Sequence, residues 1–196
     1  ILESTDIPHP DIEMFITVDE ETGMHGAFGL QPNFLRGEIL INMDSEDEGE
    51  LYVGCAGGVD ANIEYQYREV AVPDGDVALK ISLTGLKGGH SGVDIHLQRA
   101  NANKLMFRLL KKAVSEYEAR LASIDGGSLR NAIPREAFAV VTVPKDGMED
   151  MKELIVNFEA LFKEEYEGVE DNIQLKAEIT DIPSGLIPEE IQDDLI

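Results

Sequence analysis

Cysteine, basic residues and long apolar runs are all scarce in this sequence, and each shortage excludes a class of protein. The single cysteine, Cys55, excludes an internal disulfide and suits a reducing cytoplasm. No apolar run is long enough to span a membrane, so no membrane partner is expected. Lysine and arginine total 16 against 39 acids, for a formal net charge of −23. Because such a charge repels phosphate backbones, we expect no nucleic-acid partner.

Length and hydrophobic content indicate a packed globular chain. The 196 residues are enough for one large domain, or for one domain plus part of another. Hydrophobic residues make up 43% of the chain, which is too high for a disordered acidic protein. The chain starts with Ile1, not Met, and shows no targeting signal. We therefore expect it to be an interior piece of a longer protein.

Two apolar runs that end in acids organise the first part of the chain. Residues 15–18 lead into Glu20 and Glu21, and residues 38–43 lead into Asp44. Both runs predict buried strands of a parallel sheet, because neither face is given to polar residues. Ligands bind beyond the carboxyl ends of such strands, so the three acids are expected at one edge of one sheet.

The acidic pair has two interpretations. Carboxylates held close together repel unless a proton or a metal ion intervenes. Adjacent residues at a strand end point in different directions, so Glu20 and Glu21 should have different roles. One could bind a metal ion while the other reaches the water that the metal activates, as metal-assisted hydrolysis requires. A solvated acidic turn is the alternative, and spacing alone leaves both open.

A domain boundary is predicted at Gly57-Gly58, because the periodicities change beyond it. Strands are expected at residues 62–70, 77–83, 137–143 and 173–179, and amphipathic helices at residues 97–122 and 151–162. An antiparallel sheet with both helices on one face is the simplest arrangement that buries the apolar faces of these strands and helices. The fold class is therefore α/β, with a second part of α+β type in the order β-β-α-β-α-β. Pro188 predicts the start of a further helix.

A glycine-rich loop that carries a histidine lies between a predicted strand and the long helix. Its glycines allow the backbone to approach a ligand, and His90 could donate a hydrogen bond to an oxyanion or a carboxylate. The alternative is a tight turn in which Ser91 or Asp94 caps the helix. Asn131, at the entrance to a strand, by itself indicates a turn residue.

Several motifs resemble a known group of enzymes. Residues 18–24 and 42–46 resemble the metal-site segment of the dinuclear zinc aminopeptidase and carboxypeptidase clan. The longer match resembles the bacterial aminoacyl-histidine dipeptidases, also called Xaa-His dipeptidases, which are carnosinase-like. It is carried by residues 26–30, 54–58, 86–92 and 129–138.

The resemblance implies a role for each candidate residue. Glu21 would bind one zinc ion and Asp44 the other. Glu20 would take the proton from the water between the two ions and pass it to the leaving amine. His90 would be the lid histidine that reaches a substrate or transition-state oxygen, often in the partner subunit's site. Asn131 would be the lid asparagine that holds the terminal carboxylate of the substrate.

The resemblance also implies an architecture and a substrate. Residues 1–57 would be part of the catalytic domain, at the C-terminal edge of its sheet, and residues 58–196 an incomplete lid and dimerisation domain. The complete protein would hold two zinc ions per active site, with other divalent metals possible. It would be a cytoplasmic homodimer that hydrolyses dipeptides ending in histidine. With two ligands only, this chain is expected to be inactive by itself.

A second hypothesis is a non-catalytic module for dimerisation and substrate gating. The α+β part would then fold alone, and residues 1–57 would be a remnant. The presence of Glu20, Glu21 and Asp44 argues against a lineage that has lost catalysis.

Overall fold

The computed structural model describes residues 3–45, 47–55 and 57–196. The chain divides into two compact units, Ile1–Ile63 and Glu64–Ile196. Within the described residues, no helix combines the length and the hydrophobicity that crossing a bilayer requires. The domain boundary at Gly57-Gly58 stays a prediction.

The first unit contains two one-turn helices, α1 (Glu20–Gly23) and α2 (His25–Phe28). No strand is assigned among its described residues, so the prediction of strands at residues 15–18 and 38–43 is wrong for this structure. The apolar side chains of the second run are largely exposed, at 86% for Ile39 and 82% for Leu40. The physical reason is that a strand needs a neighbour to receive its N–H and C=O groups, and the described part of this unit provides none.

The second unit is built on a four-stranded antiparallel sheet with the order β3-β5-β1-β6. Beside it lies a two-stranded ribbon made of β2 and β4. The strands are β1 (Asp76–Thr84), β2 (Gly89–His90), β3 (Arg120–Gly126), β4 (Ala132–Ile133), β5 (Ala137–Pro144) and β6 (Gln174–Thr180). In the central pair, Leu79 lies opposite Val141 and Ile81 opposite Ala139, so the apolar residues share one face.

Two long helices pack against the sheet and close the core. They are α3 (Ala102–Tyr117) and α4 (Met148–Glu165), followed by the short α5 (Glu189–Leu195) after Pro188. The buried stripe of α3 follows a helical period and meets the sheet residues and α4 in one cluster. Asn101 caps the N-terminus of α3, since its side-chain oxygen accepts the N–H of Lys104 at 3.1 Å. The predicted α/β class, with two helices on an antiparallel sheet, is confirmed.

Two element predictions in this unit are wrong. The predicted strand at residues 62–70 is absent from the sheet, and only Val70 pairs, in an isolated bridge with Leu186. The long helix ends at Tyr117, because Glu118 adopts φ 53° and its N–H bonds back to the carbonyl of Ala113. The chain then returns as β3, which the sequence did not predict.

Candidate functional site

The predicted site residues lie in both units. Glu20, Glu21 and Asp44 belong to the first unit, and His90 and Asn131 belong to the second. Their roles stay predictions, and their local surroundings decide what each side chain can do.

A compact turn holds the acidic pair of the first unit. Asp19 adopts a left-handed φ of 59°, and its carbonyl accepts the N–H of Met24 at 2.7 Å. The N–H of Gly26 then donates to the carbonyl of Val18 at 3.2 Å. A Cβ at Gly26 would lie 2.6 Å from the Val18 nitrogen, so this return of the chain requires glycine. The turn therefore fixes the backbone from which Glu20 projects.

The carboxylates of this turn face solvent. Glu20 and Glu21 are exposed in the first turn of α1. His25 lies near Asp19 in the same turn, with its Nδ1 3.7 Å from Asp19 Oδ2. Both side chains of that pair are more than half exposed, at 71% and 59%, so it contributes little stability.

Asp44 is exposed in the first unit, outside any helix, strand or turn. Its N–H donates to the side-chain oxygen of Asn42 at 3.0 Å, which fixes the backbone locally. Beyond it, the hydroxyl of Tyr52 donates to Asp47 at 2.5 Å and to Glu50 at 3.1 Å. These hydrogen bonds, that to Asp47 first, raise the pKa of Tyr52 to about 12. Asp47 and Glu50, two acids near Asp44 in sequence, are thus hydrogen-bonded to a tyrosine.

The acids of the first unit have the chemistry of metal ligands, but they are few. Carboxylate oxygens such as those of Glu21 and Asp44 suit zinc and other divalent cations. Within residues 3–45, 47–55 and 57–196, no group of three or more His, Cys, Asp or Glu could hold a metal ion. Two carboxylates have the right chemistry but are too few for a closed site, so they fit only a site completed by further ligands.

The two-stranded ribbon brings His90 and Asn131 together. His90 lies opposite Ala132 in the β2–β4 pair. One residue further along, the N–H of Ser91 donates to the backbone carbonyl of Asn131 at 2.8 Å. Two residues that are far apart in sequence are therefore neighbours across the ribbon.

The hydrogen bonds of His90 fix its tautomer. Its Nδ1 accepts the backbone N–H groups of Gly92 and Val93, each at 3.1 Å. An accepting Nδ1 carries a lone pair, so the proton of the neutral ring is assigned to Nε2. His90 is exposed, and its outer nitrogen is thus presented as a hydrogen-bond donor.

Asp94 and Arg99 support the loop that carries His90. Asp94 Oδ2 accepts the N–H of His90 at 2.9 Å and lies 3.3 Å from Arg99 Nη1. The same nitrogen of Arg99 donates to the carbonyl of Gly88 at 2.6 Å. Gly89 adopts φ +145°, a conformation that favours glycine, and a Cβ there would also displace the ends of both side chains, which lie 2.5 Å from its position.

The interpretation of Ser91 or Asp94 as the cap of the long helix is wrong, because that helix begins at Ala102 and Asn101 is its cap. Asp94 precedes a 3₁₀ turn, Ile95–Leu97, and its side chain forms no cap hydrogen bond there. The carboxylate is instead occupied by the N–H of His90 and by Arg99. Sequence analysis missed this supporting role, since the acceptor and its donors meet only after the loop has folded.

Comparisons with known proteins cover most of the chain. Residues 81–170 match the M20_dimer family, described as a peptidase dimerisation domain. Over 175 residues the chain is 46% identical to the cytosol non-specific dipeptidase of Escherichia coli strain K12. That match covers 89% of this chain and 36% of the relative. The chain is 40% identical to the crystal structure of aminoacylhistidine dipeptidase from Vibrio alginolyticus, with a TM-score of 0.72. That match covers 91% of this chain and 36% of the other, so the chain spans about a third of the length of both relatives.

Proposed function

We propose, from the resemblance of this chain to bacterial aminoacyl-histidine dipeptidases and from its peptidase dimerisation domain, that it is part of a metal-dependent dipeptidase. The observation that carries the proposal is the ribbon, where His90 offers an Nε2–H donor and the next residue, Ser91, bonds to the backbone of Asn131. One relative is named for aminoacyl-histidine substrates and the other as non-specific. The substrate class is therefore dipeptides, and those ending in histidine are the finer proposal.

The acids of the first unit supply the ligands and the base. Glu21 and Asp44 each hold one of two divalent ions, for which zinc is proposed, through a carboxylate oxygen. Bound zinc supplies Lewis acidity, which polarises the scissile carbonyl and lowers the pKa of water. Glu20 takes a proton from the attacking water and gives it to the amine nitrogen of the leaving residue. The remaining ligands come from parts of the protein outside this chain.

The second unit supplies the groups that recognise the substrate. His90 donates its Nε2–H to the oxygen that gains negative charge as the peptide bond is attacked. Asn131 holds the terminal carboxylate of the dipeptide by donating from its side-chain amide. Because the ribbon ties these two residues together, the distance from carboxylate to scissile bond is set by the fold, which favours substrates of two residues.

The protein acts as a homodimer in the cytoplasm. The dimerisation domain supports pairing through the second unit, and the name of the Escherichia coli relative supports the location. A formal net charge of −23 disfavours contact with nucleic acid and with anionic membrane surfaces.

A non-catalytic module for dimerisation and substrate gating is the second candidate. It is favoured by the separate core of the second unit. The two candidates differ in one property, since only the dipeptidase hydrolyses peptide bonds.

The test uses the full-length protein that contains this chain. Hydrolysis of β-alanyl-histidine and of alanyl-alanine is measured with metal content, before and after chelation and again after zinc is restored. The expected result is metal-dependent hydrolysis of both dipeptides, with a higher kcat/KM for β-alanyl-histidine. Equal kcat/KM values would remove the histidine preference and keep the dipeptidase. A fully metal-loaded dimer that hydrolyses neither dipeptide would overturn the proposal in favour of the gating module.

A further inference from the structure

Glu170 is a buried carboxylate that none of the roles above uses. It is only 4% exposed, although it lies in an acid-rich segment just after α4. Its N–H donates to the carbonyl of Tyr166 at 2.9 Å, in the turn that ends the helix. Each side-chain oxygen accepts a different backbone group, the N–H of Lys87 at 2.8 Å and the N–H of Ala100 at 3.0 Å.

These two N–H groups lie at the ends of the segment that carries His90. Lys87 immediately precedes the glycine-rich loop, and Ala100 immediately precedes Asn101, the N-cap of α3. One carboxylate thus closes residues 87–100 into a loop with both ends fixed. The backbone packs closely just before this loop as well, because a Cβ at Gly85 would lie 1.9 Å from the carbonyl oxygen of Asn172.

The chemistry of the contact requires a carboxylate. Burying a charged group is costly unless strong hydrogen bonds satisfy it, and N–H groups donated to a charged oxygen are of that kind. The positive end of the α3 dipole lies next to Ala100 and further favours a negative charge there. The N–H groups of Lys87 and Ala100 meet different side-chain oxygens, and glutamate supplies both as acceptors. Glutamine would turn an NH₂ group towards one of the two N–H groups.

We propose that Glu170 is a positioning residue for His90: by bridging Lys87 and Ala100, its carboxylate fixes the loop that aims His90 Nε2–H at the substrate. The proposal rests on the role given to His90 above. Glu170 itself does not touch the substrate. It acts through the backbone of residues 87–100. It fixes the two ends of the loop, while Asp94 and Arg99 hold the backbone inside it.

The test compares Glu170→Gln with Glu167→Gln in the full-length protein. Glu167 is exposed on the same turn, so its variant makes the same charge change without touching the loop. Amide hydrogen exchange should rise by about tenfold or more at Lys87, Ala100 and Val93 in Glu170→Gln, and ring ¹⁵N shifts should show a smaller Nε2–H population at His90. The value of kcat should fall by about 10- to 100-fold because the donor is misplaced, with unchanged metal content and a smaller change in KM. Glu167→Gln should match the parent protein.

A shorter carboxylate keeps the test decisive if Glu170→Gln does not fold. Glu170→Asp retains the charge but reaches one of the two N–H groups, so intermediate effects on exchange and kcat are expected. Unchanged exchange across residues 87–100 would overturn the proposal, and so would a loosened loop with normal kcat in an active enzyme. If the full-length parent hydrolyses no dipeptide, the proposed function fails. Exchange and ring shifts then still decide whether Glu170 fixes the loop around His90.

Discussion

Substitutions of His90 can test the roles of its two ring nitrogens separately, because each nitrogen makes different hydrogen bonds. Nδ1 accepts the N–H groups of Gly92 and Val93, each at 3.1 Å, whereas Nε2 is the proposed donor to the substrate. Asparagine places its amide oxygen close to the position of Nδ1 and can keep both backbone contacts, but it has no group at the position of Nε2. Glutamine does the reverse, since its amide nitrogen reaches the outer position.

His90→Asn should therefore remove one transition-state donor and leave the loop in place. Losing one such donor typically lowers kcat by about 100- to 1000-fold, which corresponds to about 2.7–4 kcal/mol. The side chain of His90 is exposed, so the free energy of unfolding should change by less than about 0.5 kcal/mol. His90→Gln should keep more of kcat than His90→Asn, although its loop is looser.

The assay measures kcat and KM for β-alanyl-histidine at equal zinc content in the parent protein and both variants. Hydrogen exchange at Gly92 and Val93 reports whether the loop contacts survive, and should be unchanged in His90→Asn. A normal kcat in His90→Asn, with those contacts intact, would refute the donor role. Equal losses in both variants, with faster exchange in both, would reduce the glycine-rich segment to a structural turn.

Three further predictions concern other residues. Glu20→Gln should leave metal content near normal and nearly abolish turnover, because an amide cannot accept the water's proton; equal loss of metal would make Glu20 a ligand. Asp44→Ala should lower metal content by mass spectrometry, since a ligand oxygen is lost, and full occupancy would remove it from the ligand set. Two hydrogen bonds from Arg108, at 2.6 and 2.7 Å, lower the pKa of Glu165. The ion pair of Glu165 with Arg108 should stabilise the fold above the ordinary pKa of a glutamate. This stabilisation should disappear as pH falls through the lowered pKa of Glu165. Urea unfolding of Glu165→Gln against the parent should differ by less than about 1 kcal/mol at neutral pH, for a pair this exposed. A difference that persists at low pH would contradict this assignment.

Periodicity predicted those elements whose burial follows one regular period. The stripe of α4 is an example, since Met151, Leu154, Ile155 and Phe162 are all buried. It failed for β3, where a bulge between Leu121 and Ser123 breaks the alternation on which a strand prediction depends. The apolar face of the preceding helix also continues in sequence to Leu121, so this residue fits a helical period as well as the alternation of a strand. The alternation of residues 62–70 gave a strand prediction that pairing did not support.

The candidate site was predictable only where the sequence carried the motif itself. His90 and Asn131 were identified by resemblance, and the ribbon that joins them was not foreseen. The supporting residues Asp94, Arg99 and Glu170 bind backbone N–H or C=O groups, which every residue offers and no motif marks. Glu170 further lies among other acids, where a solvated side chain is the default expectation. Its burial depends on tertiary structure alone.

All the described contacts that orient His90 lie within the second unit, while Glu20 lies in the first. Glu20→Gln should therefore leave the ring tautomer of His90 unchanged. If both act on one step, removing the base leaves little negative charge for the donor to stabilise, and the losses will not multiply. A Glu20→Gln, His90→Asn double variant should then be about as slow as the slower single variant, in single-turnover assays at equal zinc content. Losses that multiply would show that the two residues serve different steps, and His90 would then be assigned to substrate binding.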